Sequence, residues 1–117
     1  MASAGIQRID VGALPAAPLD AAAMFQNDWL AAIRQATERA DCIIVLGVAD
    51  HTHRNWRVAM VRGLAREAAP RRVNIVAGNE QDAVDAALAY LASAPGITGQ
   101  LLDVDGDGKT AAGIQAA

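Results

Sequence analysis

The stretch CIIVLGV, Cys42 to Val48, decides the fold. It is a continuous apolar run rich in β-branched residues with no polar alternation, the pattern of a strand covered on both faces in a parallel sheet. Reading outward toward the C-terminus, Asp50 or Thr52 can cap a helix running through Trp56, Met60 and Leu64 to Ala69, where Pro70 stops it. RVNIVA, Arg72 to Ala77, reads as the next strand and Gly78-Asn79 as a turn. Glu80 to Ala92 follows as a helix with Val84, Leu88 and Leu91 on one stripe, and Gln100 to Val104 as the last strand. Toward the N-terminus, a long helical pattern from Asp20 to Ala40 places Phe25, Trp29, Ala32, Ile33 and Ala36 on one face. A Pro-broken link, Leu14 to Pro18, separates that helix from a short apolar piece, Ile6 to Val11.

Helix-length segments between strands, with no Asn-Gly or Asp-Gly hairpin joining two of them, imply parallel pairing through right-handed crossovers. The expected class is α/β, a parallel sheet of four strands in βαβαβαβ order. Residues 1–108 are expected to form a single domain, and 109–117, without apolar periodicity, a frayed or draped tail.

Composition narrows the function classes. The chain has 117 residues, 53% of them apolar, which suits one compact domain. Ten Lys and Arg against thirteen Asp and Glu leave a net charge of -3, and the Arg residues are scattered, so no footprint for nucleic acid is present. The apolar run to Ala49 is far short of the roughly twenty residues a spanning helix needs. The opening MASAGIQRID lacks a signal peptide's hydrophobic region, so a cytoplasmic protein without membrane contact is expected. Cys42, the one cysteine, sits among Ile43, Ile44 and Val45 and reads as a buried thiol.

From Trp56 to Gly106 the sequence resembles the C-terminal half of the short-chain dehydrogenases/reductases. The resemblance rests on VRGLAREAAP running into RVNIVAG, then a helix ending LAYLAS, the turn GITGQ and the strand LLDVDG. It implies a Rossmann-like half, with Cys42 to Ala49 as the family's fifth strand, Asp20 to Ala40 as a shortened preceding helix and Ile6 to Leu14 as its fourth strand. The departures bear on function. The family's Gly-rich nucleotide turn has no GxGxxG counterpart in this sequence. Aligned through VRGLAR, the family's acid/base Tyr falls at Arg54, its Lys at Val58 and its Ser near Val48, while the helix-borne Asn has at best a counterpart in Asn27. Arginine stays protonated and valine carries nothing to titrate, so neither performs proton transfer. No catalytic residue and no cofactor are therefore expected.

What the resemblance keeps is the assembly half, since family dimers form through the long helices flanking the fifth strand and through the last helix and strand. The helix after Thr52 carries two apolar faces, Trp56, Met60, Gly63 and Leu64 on one, and Val58, Val61, Ala65 and Ala68 on the other. One face is expected to cover the sheet and the other to meet a partner. Trp56, Val58, Met60, Val61, Leu64 and Ala65 are the candidate interface, with the chain itself and/or a full-length dehydrogenase as partner. The reading that follows is a non-catalytic, oligomeric or partner-binding subunit.

Two rival sites remain. Asp50, His51, His53 and Glu80 fall near the carboxyl ends of strands, where open α/β sheets place ligands, and imidazole and carboxylate suit a metal or, at a helix start, an anion. Asp103, Asp105, Asp107 and Gly108 open like a calcium loop, but Ile114 stands where a bidentate Glu would close it.

Overall fold

The computed structural model describes residues 5–104 and the backbone of 114–116. At its centre Cys42–Leu46 (β2) pairs in parallel with Val73–Ala77 (β3), in register from Cys42 opposite Val73 to Leu46 opposite Ala77. Every residue of both strands is buried, as the unalternating apolar runs require. Gln7–Asp10 (β1) adds in parallel beside β2, and Leu101–Val104 (β4) in parallel beside β3. The α/β class and the four parallel strands in sequence order are thus those read from the sequence. Ile114–Ala116 (β5), placed in the expected tail, instead extends the sheet as an antiparallel strand beside β4. Pairing there covers the backbone edge that β4 would otherwise present.

The helices are Pro18–Asp28 (α1), Leu30–Thr37 (α2), Arg54–Ala68 (α3) and Gln81–Ala92 (α4). The single helix expected over Asp20 to Ala40 is broken at Trp29, whose φ of -121° and ψ of -28° leave the helical basin. A straight helix of that span would run about 30 Å and overrun strands of roughly 17 Å. The bend keeps both Phe25 and Ile33 at 0% exposure over the sheet while Trp29 stays half-buried.

Strand alternation sorts the core into two layers. Ile44, Leu46, Val73, Ile75, Ala77 and Leu101 face α1, α2 and α3 through Phe25, Ile33, Val61, Leu64 and Ala65. Ile43, Val45, Val76, Leu102 and Val104 face α4 through Val84, Ala87 and Leu91. The strand order advances in one direction while the crossover helix changes face between α3 and α4. The β3–α4–β4 connection therefore has the opposite hand to the two before it, and the expectation of uniformly right-handed crossovers does not hold. On the first face α3 packs against the turn entering β4: a Cβ on Gly99 would lie 3.3 Å from Ala65 Cβ. The apolar second face of β3 and β4 also needs its own cover.

Buried polar groups fix the connections. Arg72 pairs with Asp41 at 3.0 Å and donates from Nη1 to the carbonyls of Leu91 and Ala94, closing the C-terminal end of α4. Burial raises the Asp41 carboxyl, but the backbone N–H and guanidinium of Arg72 outweigh it and hold the group below its usual range. Asn74, 2% exposed, donates to Ile97 O at 3.1 Å and accepts from Gln100 N at 3.0 Å, which ties β3 to the turn that feeds β4. On the second face of the edge strand β1, Arg8 pairs with Asp10 and Asp85 at exposed positions. Charge on an edge strand discourages further strand pairing. Cys42 is 1% exposed and burial pushes its thiol up, as a buried structural cysteine. No helix among the described residues is long and apolar enough to cross a membrane.

Candidate functional site

The carboxyl ends of β1 and β2 open onto a cleft of about 470 Å³ lined by Val11 to Ala16, Leu46 to Asp50, His53 and Arg57. Local sequence builds it. After β1 the chain runs on through Gly12 and Pro15 to α1, and after β2 it leaves the sheet at Gly47, so two separating segments form the walls. Asn79 at the end of β3 accepts from Val48 N at 3.0 Å and anchors the second wall. Asp50 then accepts from Thr52 N at 2.9 Å and from the Thr52 hydroxyl, starting the 3₁₀ turn His51–His53 that leads into α3. Those two donors from Thr52, the hydroxyl first, hold the Asp50 carboxyl below its usual range.

Of the four side chains expected at this edge, Asp50 and His53 line the cleft, whereas His51 and Glu80 are exposed and do not. His53 is 6% exposed with both ring nitrogens engaged: Nε2 lies 2.9 Å from Ala16 O, and Nδ1 accepts from Trp56 Nε1 at 3.1 Å. Those roles place the proton on Nε2 and leave no lone pair for a metal. Its work is to pin the β1–α1 wall to α3. Among the described residues no group of three or more His, Cys, Asp or Glu side chains comes close enough to hold a metal ion. Asp103 lies on β4, opposite Gln115 in the sheet, while Asp105 and Asp107 lie outside the described residues.

The residue that sequence reasoning missed is Arg57. It is 6% exposed, donates from Nη1 to Gly47 O at 3.0 Å, and lies 5.7 Å from the Trp56 ring centroid. Its Nε is buried with no partner among the described residues. Burial draws the guanidinium below its usual range, with Asp103 opposing that shift. An unmet buried donor costs about 1–3 kcal/mol, and more when it is charged. The signal was a charged residue four positions from His53 and from Val61, on a stripe that otherwise turns inward.

The candidate interface divides. Val61, Leu64 and Ala65 are 0%, 4% and 9% exposed and belong to the domain's own core, which corrects their assignment to a partner surface. Both proposed faces of α3 supply residues to that core, because α1 and α2 close over one flank of the helix while the sheet takes the other. Trp56, Val58 and Met60 remain half-buried. Trp56 and Met60 join Ala22, Leu30, Ala59 and Gly63 along an open groove of about 480 Å³ between α1/α2 and α3. The Arg34–Glu67 pair, two contacts of 2.7 and 3.0 Å, bridges α2 and α3 at its rim.

A parallel sheet with helices on both faces and a cleft at its carboxyl ends defines the Rossmann-like α/β class. The family model of short chain dehydrogenase-like proteins matches residues 9–104, and the chain belongs to that SDR-like family. No curated protein and no solved structure matches it. The positions that align with the family's Tyr, Lys and Ser are Arg54, Val58 and Val48. Arg54 is exposed, Val58 is a half-buried aliphatic, and Val48 is a 60% exposed aliphatic at the end of β2. None supplies the hydroxyl or amine that the family's chemistry uses at those positions.

Proposed function

We propose that this chain is a non-catalytic, cytoplasmic member of the SDR-like family that works by association, with itself and/or with a full-length dehydrogenase of the same class. The observation that supports it most is the groove between α1/α2 and α3, lined by apolar side chains of which Leu30, Trp56 and Met60 are only half-buried. A Cβ on Gly63 would meet nothing within 4 Å, so a partner helix has room to approach the α3 backbone. Leu19, 86% exposed one turn from Ala22 on α1, adds apolar area beside the groove. Arg34 and Glu67 give the rim a fixed polar pair, the arrangement of an apolar patch framed by charge. The inert groups at positions 48, 54 and 58 support the non-catalytic half of the reading.

The test is the association state of the wild-type chain and of Met60→Glu. A charge placed in a buried interface costs several kcal/mol, enough to move a micromolar dimer to monomer. The proposal requires an assembly in the wild type that Met60→Glu disperses while the fold, followed by circular dichroism, persists. An assembly unmoved by Met60→Glu would remove this groove from the interface.

A further inference from the structure

We propose that the cleft at the carboxyl ends of β1 and β2 binds a small organic oxyanion, a carboxylate or a phosphate monoester, through the guanidinium of Arg57. This goes beyond association, since it gives the chain a ligand of its own. Arg57 is more than nine-tenths buried, yet the ion pairs among the described residues engage Arg8, Arg34 and Arg72 and not Arg57. A buried cation without a carboxylate in contact is rare, because burial is tolerated mainly when the charge is met.

The geometry says which nitrogen is offered. Nη1 is spent on Gly47 O, and the Trp56 ring lies beside the guanidinium, so the group is held in place. Nε is enclosed and has no acceptor among the described residues, so the nitrogen left to donate is Nη2. A charge-assisted hydrogen bond from Nη2 suits an oxygen of a carboxylate or phosphate. The volume of about 470 Å³ suits a small acid. Gly12 keeps one wall open, since a Cβ there would meet nothing within 4 Å. His53 takes no part, as both its nitrogens are committed to Ala16 and Trp56. Of the acidic groups at this edge, Asp50 lies on the lining and is occupied by Thr52, and Asp103 on β4 acts on Arg57 through space.

The experiment is calorimetric titration of the full chain with sodium phosphate and, separately, sodium succinate, at ionic strength held constant with chloride. Saturable binding of at least one anion is expected, weakened at least about tenfold in Arg57→Gln and tightened about two- to fivefold in Asp103→Asn. A response to phosphate alone assigns a phosphorylated ligand, and one to succinate alone a carboxylic acid. Should Arg57→Gln fail to fold, Arg57→Lys keeps the charge but loses the guanidinium that Gly47 O and Trp56 hold in place, and must bind more weakly than wild type. Saturation by neither anion in the millimolar range, or an affinity unchanged in the Arg57 variant that folds, overturns the proposal.

Discussion

Replacing His53 by Ala separates a structural histidine from a ligand-holding one. The imidazole joins Ala16 O to Trp56 Nε1 across the cleft, so the substitution removes two hydrogen bonds and strands one donor and one acceptor. Each bond contributes about 0.5–1.5 kcal/mol, and a stranded partially buried group adds to the loss. The ring's own burial, 94% by its 6% exposure, adds roughly 1 kcal/mol of lost packing. The sum is about 2–4 kcal/mol, which in a domain of this size lowers Tm by roughly 8–20 °C. Urea unfolding followed by Trp fluorescence is the direct assay, because Trp56 bonds to His53 and both Trp29 and Trp56 pack against the core. His53→Phe, which keeps the ring volume but neither bond, should recover only the packing share. A loss under about 0.5 kcal/mol in His53→Ala would refute the bridging role and return His53 to the pool of available ligands.

Other perturbations probe separate parts of the account. Gly78→Ala should cost about 1–3 kcal/mol, because its Cβ would clash with Val104 Cγ2 and sit 3.3 Å from Val84 Cγ2 at the β3–α4 turn; equilibrium denaturation reads it, and a neutral result would contradict the packing of β4 against that turn. Asn74→Leu should destabilise by about 1–3 kcal/mol in the same assay, since Gln100 N loses its acceptor inside the sheet layer. Asp41 has its native pKa below the unfolded value, so its contribution is present above the usual carboxylate range, about pH 4, and is lost as pH falls through the lower native value. Asp41→Asn should therefore flatten the acid limb of a stability-against-pH curve, and an unchanged limb would show that Arg72 does not hold the carboxylate. Removing the thiol by Cys42→Ala should leave the association state as it is, because the side chain is enclosed between Ala40 and the sheet, and a shifted oligomer would place that thiol at an interface.

Much of the fold was legible because its signals are local or periodic. The runs Cys42–Leu46 and Val73–Ala77 are buried on both faces, and nothing but a parallel sheet asks for two such strands separated by a helix. The break at Trp29 was invisible, since helical periodicity continues through Phe25 and Ile33 and only the short span of the sheet demands the bend. The change of face at α4 is a tertiary fact that no local pattern carries. The strand Ile114–Ala116 draws its partner from β4 rather than from any periodicity of its own.

The site was legible as an edge but not as a set of groups. Asp50 and His53 were found from their place after β2, yet spacing could not show that His53 spends both nitrogens inside the fold. Arg57 was passed over because an arginine on a helix reads as solvated, and its burial appears only when α3 is laid on the sheet. The two apolar faces of α3 were real, but α1 and α2 cover part of the face that carries Trp56, Met60, Gly63 and Leu64, which leaves Trp56, Met60 and Gly63 along the open groove.

The claim at the centre is that the chain acts by association rather than by catalysis. A native mass spectrum of the chain purified gently from its own host tests it most directly. The account predicts an assembly heavier than one chain, either a homo-oligomer or a complex with a full-length dehydrogenase. A single-chain mass at micromolar concentration would contradict it.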